Sequence, residues 1–104
     1  MITVKVTYTV KPEFVEKNKQ NISLFMNDFK KWDSSDFRYS VYLEADGLTF
    51  LHFSTYRNEE IQKEILNVES FKTFQKERDE SGLNNTHQAE ILDFIDSSFN
   101  TFAT

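Results

Sequence analysis

The chain has 104 residues and a formal net charge of −5, and its acidic and basic residues are interspersed without a run of Lys or Arg. It therefore offers no basic stripe that could neutralise phosphates, and we expect no nucleic-acid partner. The first ten residues do not resemble a secretory leader, and no segment approaches the ~20 apolar residues of a membrane span. We therefore expect a cytoplasmic protein with no membrane partner.

The sequence contains no Cys, which excludes disulfides, thiolate nucleophiles and thiolate metal ligands. Aromatic residues make up 15% of the chain, and among them are 11 Phe. Because each buried ring removes about 150–250 Å² from water, we expect aromatic side chains to dominate the core. No Pro, Gly or Ser-rich linker divides the chain, so residues 1–104 are predicted to form a single domain.

The first half of the chain predicts a strand, a helix and a hairpin. Apolar residues alternate with polar ones from Ile2 to Val10, as in a strand, and Pro12 is well placed to begin a helix that runs to about Trp32. A second alternation begins at Phe37. Asp46-Gly47 interrupts it with a hairpin signal, and strand character continues to about Thr55.

The second half predicts a helical region and a last strand. Asn58 precedes two Glu residues and is predicted to cap a helical region that ends near Gly82, with a restart capped by Ser70. The polar run Leu83–Thr86 is predicted to be a loop, and the last strand is predicted at His87–Ile95. The tail, residues 97–104, carries two Phe residues and is expected to dock on another surface.

The order strand, helix, strand, strand, helix, strand is that of the ferredoxin-like split βαβ fold, an α+β architecture. In this fold two helices cover one face of a four-stranded antiparallel sheet. The strands of this chain carry apolar residues on both faces; Phe50, for example, faces away from Leu51 and Phe53. We therefore expect the uncovered face to pack against the same face of a second copy, giving a homodimeric α/β barrel.

The sequence resembles the antibiotic biosynthesis monooxygenase family of dimeric α/β-barrel proteins. Three segments carry the likeness, which extends over nearly the whole chain: VKPEF after the first strand, LTFLHFSTYRNEEI from the third strand onward, and LNVESFKTFQKE in the helical region. Related barrels with other activities share these patterns of apolar and capping residues, so the likeness predicts the fold more firmly than the reaction.

The resemblance implies a monooxygenase that oxygenates a small aromatic or quinol-type substrate without metal or flavin, and hence without a cofactor. The substrate would lie in a pocket between sheet and helices, where a base accepts its hydroxyl proton and donors hold the resulting anion. We predict His52 as the base, and Tyr56 and Arg38 as its catalytic partners. The predicted substrate-binding residues are aromatic: Tyr8, Tyr39, Phe50, Phe71 and Phe74.

Several features favour other interpretations. Many family members have a His where this chain has Ile65, and a haem-degrading relative would carry a His at Gln75 and a Trp at Tyr56. His52 and His87 are the two His residues of the chain and are too few for a metal cluster. His52 also suits an ordinary position at the dimer interface, and the helical spacing of the two Phe residues after Ser70 suits core packing.

Three hypotheses on function remain open. The first is the cofactor-independent monooxygenase, the second a non-catalytic small-molecule-binding or structural barrel, and the third a proton-transfer enzyme such as an isomerase or decarboxylase. A pocket containing His52 would favour an enzyme. A space filled by Phe and Tyr side chains would favour the second hypothesis.

Overall fold

A computed structural model describes residues 1–99 and Phe102, with the side chain of Asn85 left out. In the described part of the chain four strands form one sheet: β1 (Ile2–Val10), β2 (Phe37–Leu43), β3 (Thr49–Tyr56) and β4 (Leu83–Leu92). The helices are α1 (Val15–Phe29), α2 (Glu59–Leu66) and α3 (Glu69–Glu77), with a 3₁₀ turn at Pro12–Phe14 and a π-helical turn at Arg78–Gly82.

The sheet is antiparallel throughout, with the strand order β2-β3-β1-β4, and the helices cover one of its faces. This confirms the predicted α+β split βαβ fold. In the register Tyr8 pairs with Phe50, and Val6 and Val41 flank His52 from either side. Since neighbours across a sheet point to the same face, these side chains form one helix-facing layer.

The predicted hairpin between β2 and β3 is confirmed. Gly47 adopts φ of 73°, a conformation that costs Gly little because it has no Cβ. The Asp46 carboxylate accepts hydrogen bonds from the backbone N–H groups of Leu48 and Thr49, both at 2.8 Å. The Asp-Gly pair that predicted the turn in the sequence therefore also forms it in the structure.

The first helical region is shorter than predicted. It opens with the 3₁₀ turn at Pro12–Phe14, and α1 ends at Phe29 instead of reaching Trp32. The N–H groups of Lys31 and Trp32 bond to carbonyls three residues earlier, those of Asp28 and Phe29, so the chain leaves the helix through a tighter turn.

The second helical region is two α-helices. Asn58 caps α2 as predicted, since its side chain accepts the N–H of Ile61 at 2.9 Å. The predicted restart at Ser70 is wrong by two residues, because Val68 occupies the cap position of α3. The Ser70 hydroxyl instead donates to Asp28 at 2.6 Å and ties α3 to α1.

The last strand begins earlier and ends earlier than predicted. Leu83–Thr86, predicted to be a loop, belongs to β4, and Leu83 pairs with Val10. The strand stops at Leu92 instead of Ile95. An edge strand with solvent on one side tolerates polar residues, so the run of Asn and Thr was wrongly interpreted as a turn.

The face of the sheet away from the helices, called here the outer face, carries several exposed apolar side chains. Tyr42 is 60% exposed and Phe53 is 41% exposed. After β4 the chain crosses to the Arg38 side chain, whose guanidinium lies 5.1 Å from the Phe99 ring centroid, and the Phe102 ring lies 5.6 Å from the Arg57 guanidinium. The rest of the predicted docking tail, residues 100, 101, 103 and 104, lies outside the described residues.

Candidate functional site

His52 lies in the middle of β3 with its imidazole facing the helices, and it is 2% exposed. Its position follows from strand alternation, because Phe50, Ser54 and Tyr56 share the helix-facing side of β3 and are also buried. The predicted alternative of a His at the sheet-to-sheet interface does not apply, since the imidazole lies on the opposite side from the outer face.

Both imidazole nitrogens of His52 have tyrosine partners. The Tyr8 hydroxyl lies 2.7 Å from Nε2, and the Tyr39 hydroxyl lies 2.8 Å from Nδ1. The Asn18 side chain, from α1, donates its amide N–H to the Tyr8 hydroxyl oxygen at 3.0 Å. These four residues form a continuous run of hydrogen bonds, called here the Asn18–Tyr39 chain. The structure therefore brings together three of the predicted site residues, Tyr8, Tyr39 and His52.

Aromatic rings enclose this polar chain. The Phe74 ring stacks on His52 with centroids 5.3 Å apart, and the Phe50 ring stacks on Tyr8 at 5.7 Å. Phe25, which sequence analysis did not single out as a site residue, lies 6.2 Å from His52 and contacts Phe71 edge-on at 5.1 Å. Of the predicted substrate-binding Phe residues, Phe74 contacts His52 directly, whereas Phe50 contacts Tyr8 and Phe71 contacts Tyr39, and all three are buried in the core.

Arg78 is a further buried polar residue beside the chain. Its guanidinium lies 5.1 Å from the Tyr8 ring centroid and 5.2 Å from that of Phe74, and its Nε donates to Asp79 at 2.9 Å. Sequence analysis missed both Arg78 and Asn18. Each is a single polar residue in a helical segment rich in polar residues, and neither the spacing nor the residue type signals burial.

Burial sets the ionisation of the site. Desolvation, followed by the positive charge of Arg78 and a smaller effect of His87, lowers the pKa of His52 to about 3. Desolvation also raises the pKa of Tyr8 and that of Tyr39 above their ordinary value. At neutral pH the site therefore holds a neutral imidazole between two neutral phenols.

A shallow groove of about 440 Å³, open to solvent and called here the cavity beside Tyr39, adjoins this site. It lies between the end of α1 and β2, and most of its apolar wall comes from rings. Its lining includes Met26, Phe29, Trp32, Phe37 and Tyr39. Among the predicted substrate-binding residues, Tyr39 lines this cavity, whereas Tyr8, Phe50, Phe71 and Phe74 do not.

Arg38 and Tyr56 lie apart from the His52 imidazole. Arg38 follows Phe37 in β2 and therefore points to the outer face, where it lines a cavity of about 500 Å³; it also contributes to the lining of the cavity beside Tyr39. The predicted partnership of Arg38 with His52 is thus not formed, because successive strand residues point to opposite faces. Tyr56 faces the helices but stacks on Phe37 at 6.4 Å near the end of the strand, and burial raises its pKa.

His87 lies on the edge strand β4, where it pairs with Tyr8 and is largely exposed; partial desolvation and then the positive charge of Arg78 lower its pKa. Within residues 1–99 and Phe102, no group of three or more His, Asp or Glu side chains is arranged to hold a metal ion. Among the same residues, none of the helices has the length and apolar character needed to cross a membrane.

The sequence matches no protein-family model, and no curated protein matches it. The fold, in contrast, is found in solved structures. A structure titled as an antibiotic biosynthesis monooxygenase superposes with a TM-score of 0.78 at 10% identity, covering 92% of this chain and 100% of that chain. A protein of Mycobacterium tuberculosis gives a TM-score of 0.78 at 16% identity, covering 94% of this chain and 98% of its own.

A third structure, titled as a putative antibiotic biosynthesis monooxygenase from Nitrosomonas europaea, gives a TM-score of 0.77 at 12% identity over 90% of this chain and 89% of that chain. Likeness at these identities concerns the backbone and not the chemistry of the site. The resemblance noted in the sequence is thereby confirmed at the level of architecture: the chain has the fold of structures titled as antibiotic biosynthesis monooxygenases.

Proposed function

We propose that the protein binds a small phenolic or quinol-type molecule in the cavity beside Tyr39 and oxygenates it with O2, without metal or flavin. The observation that supports this most directly is that Tyr39 lines the cavity and also bonds to His52 through its hydroxyl group. The side chain thus connects a place for an aromatic ligand with a buried hydrogen-bonded chain.

The cavity suits a small planar ligand. Its volume of about 440 Å³ falls within the ~300–1,000 Å³ of ordinary ligand pockets. Of the rings that line it, Trp32 and Tyr39 are partly exposed and can stack on an aromatic substrate, and such contacts contribute about 0.5–1.5 kcal/mol each beyond simple burial.

The low pKa of His52 argues against the predicted role of general base. A base with a pKa of about 3 would have to take a proton from a phenol whose pKa is ordinarily ~10. That gap of roughly seven pKa units corresponds to about 10 kcal/mol. We therefore assign the proton to the bulk buffer, since a phenol with a pKa of ~10 is ionised to about one part in a thousand at pH 7. We assign His52 the role of a positioning residue that holds the Tyr39 hydroxyl.

In this mechanism the Tyr39 hydroxyl, whose pKa is raised by burial, stays protonated and donates a hydrogen bond to the substrate oxyanion. The anion passes one electron to O2, and the resulting substrate radical and superoxide combine in a C–O bond. The peroxide takes up a proton and loses water, leaving a new carbonyl. For a substrate CH2 group the balance is CH2 + O2 giving C=O + H2O.

The assay uses an anthrone-type phenol, purified protein without added metal or flavin, and 18O2. We expect O2 uptake above the rate in buffer, with one 18O atom in the new carbonyl of the product and the other in water. Uptake that yields peroxide and a quinone without 18O would indicate simple oxidation. No acceleration over buffer with a varied set of phenols and quinols would contradict the proposal.

One observation favours the second hypothesis, a barrel that binds without turnover. His52 is 2% exposed and both of its ring nitrogens are occupied by tyrosines, so the site is also a well-satisfied core. Saturable ligand binding, measured by quenching of Trp32 fluorescence, without O2 uptake would support this alternative. A proton-transfer enzyme is supported less, because His52 is a weak base.

We further propose that the functional unit is a homodimer joined through the outer faces of two sheets. The exposed Tyr42 and Phe53 lie on this face, and a second copy would remove both from water. A cytoplasmic location stays a prediction, and the absence of Cys is consistent with it.

A further inference from the structure

Asn18 occupies the inner end of the Asn18–Tyr39 chain. It lies on α1, is fully buried, and donates its amide N–H to the Tyr8 hydroxyl oxygen at 3.0 Å. Its carbonyl oxygen has no hydrogen-bond partner among the described residues. A buried Asn with an unpaired acceptor lowers the stability of the fold, so its one hydrogen bond is a candidate for a functional role.

The direction of every hydrogen bond in the chain depends on this donor. A neutral imidazole has one N–H and one acceptor nitrogen, and a tyrosine hydroxyl has one proton to donate. Because Asn18 donates to Tyr8, the Tyr8 proton has one remaining acceptor among the described residues, Nε2 of His52. The imidazole proton then lies on Nδ1 and is donated to the oxygen of Tyr39.

The opposite direction leaves a proton stranded in the core. If His52 carried its proton on Nε2 while the Asn18 amide N–H still donated to Tyr8, Tyr8 would accept from both Asn18 and His52, and its own O–H would have no acceptor although Tyr8 is 1% exposed. In the first arrangement the unpaired O–H belongs to Tyr39, which is half-buried and borders the cavity. The first arrangement therefore has the lower desolvation cost.

We propose that Asn18 is a positioning residue that fixes His52 as the Nδ1–H tautomer and thereby leaves the Tyr39 hydroxyl proton free for a ligand. The ligand class follows from this direction: the cavity selects molecules that present an oxygen acceptor, a phenolate or a carbonyl, over molecules that present only donors. This ligand preference rests on the proposed function, whereas the tautomer does not. Hydrogen bonds in series also polarise one another, which makes Tyr39 a better donor.

The first test needs no ligand and no activity. In uniformly 15N-labelled protein, long-range 1H–15N correlation spectra distinguish the two neutral tautomers of a His. The His87→Gln variant leaves His52 as the sole His, so its signals are assigned directly. At pH 7 we expect the Nδ1–H form in excess by about tenfold or more. A dominant Nε2–H form, or an even mixture, would overturn the proposal.

The second test removes the amide. In Asn18→Leu the Tyr8 hydroxyl is free to donate or accept, so the tautomer excess should fall to about threefold or less. Asn27→Leu makes the same change at an exposed position of α1 and should leave the tautomer ratio unchanged. If Asn18→Leu does not fold, Asn18→Ala removes the same group without adding bulk. An unchanged tautomer ratio in the folded variant would show that Asn18 does not set it.

The ligand preference is tested separately with 2-naphthol and 2-naphthylamine, at a pH at which the naphthol is partly ionised. We expect the naphtholate to quench Trp32 fluorescence at concentrations at least tenfold below those of the amine, with this preference lost in Tyr39→Phe. Equal affinity for both compounds would contradict the ligand class. That outcome would contradict the proposed function but would leave the proposed tautomer of His52 unaffected.

Discussion

The Tyr39 hydroxyl oxygen lies 2.8 Å from Nδ1 of His52, although the two residues are not register partners: Tyr39 pairs with Ser54, and His52 pairs with Val41. The bond runs diagonally across β2 and β3, within reach of a long side chain. It connects the edge strand β2, which borders the aromatic cavity, to the buried centre of the sheet. A substitution of Tyr39 should therefore affect ligand binding and O2 uptake, whereas a substitution of His52 should affect the free energy of unfolding.

The Tyr39→Phe variant tests the role of the hydroxyl. Removing one oxyanion donor typically lowers kcat by about 10²–10³-fold, and we expect such a loss in O2 uptake with the anthrone-type phenol. Tyr42→Phe is the matched control, because Tyr42 lies on the outer face of the same strand and is 60% exposed. Equal rates for Tyr39→Phe and the unmodified protein would exclude Tyr39 as the donor.

The buried imidazole predicts acid sensitivity. Burial depresses the pKa of His52 from 6.5 to about 3, so the unfolded state binds the proton more tightly. The contribution of His52 to stability is complete above pH 6.5, and it is lost as the pH falls toward 3. The slope between these values is about 1.4 kcal/mol per pH unit at most.

The measurement compares the unmodified protein with His52→Gln, which is neutral at every pH and retains a donor and an acceptor. Urea unfolding at pH 7, 6, 5 and 4 should show the free energies of the two proteins converging as the pH falls. His87→Gln, changed at an exposed strand position, should show a much smaller effect. Parallel pH profiles for His52→Gln and the unmodified protein would mean that the imidazole takes up its proton in the folded state at ordinary pH.

Phe29 is predicted to be a main support of the core. It is 4% exposed and contacts Tyr39 at 5.2 Å, Phe25 at 5.0 Å and Phe37 at 5.5 Å. We expect Phe29→Ala to lower the free energy of unfolding by about 3–5 kcal/mol, the usual range for a buried Phe. Leu24→Ala on the same helix, where Leu24 is 58% exposed, should cost less than about 1 kcal/mol in the same denaturant titration.

The two Gly residues should respond to Ala for different reasons. A Cβ at Gly82 would overlap the Phe14 ring, so Gly82→Ala forces the junction between the π-helical turn and β4 to shift. At Gly47 nothing lies near a new Cβ, but φ of 73° is costly for Ala. We expect Gly82→Ala to destabilise the protein by about 1–3 kcal/mol and Gly47→Ala by roughly 1 kcal/mol. The Phe14→Leu change should relieve the cost at Gly82 and not at Gly47.

The periodicity of apolar residues predicted the order of strands and helices, because this periodicity reflects which side of each element is buried. Strand alternation placed Ile2–Val10 correctly and already put Arg38 on the face opposite Tyr39, and the Asp-Gly pair placed the turn at Asp46-Gly47. The prediction that Arg38 and His52 act together considered only the chemistry of the two side chains and did not take this alternation into account. The sheet edge was less predictable, since a strand such as β4 carries few buried residues to mark it.

The site was predicted only in part. His52, Tyr8 and Tyr39 were identified by residue type, and the structure brings them within hydrogen-bond distance. Asn18 and Arg78 were not, because their partners lie 10 and 70 residues away and no local pattern distinguishes them from solvated helix residues. The low pKa of His52 likewise arises from the rings packed around it, which depend on tertiary structure.

The last prediction concerns assembly through the outer face. Light scattering at micromolar concentration should give about twice the 12.3 kDa chain mass. Phe53→Glu places a charge at the centre of this face, where Phe53 is 41% exposed, and should shift the protein to the monomer because a buried unpaired carboxylate is strongly unfavourable. Leu24→Glu makes an equivalent change on the helical layer and should leave the mass unchanged. A dimer that survives Phe53→Glu but dissociates with Leu24→Glu would place the interface on the helices instead. A monomer in the unmodified protein would rule out the barrel and leave a single sheet whose apolar outer face is in contact with water.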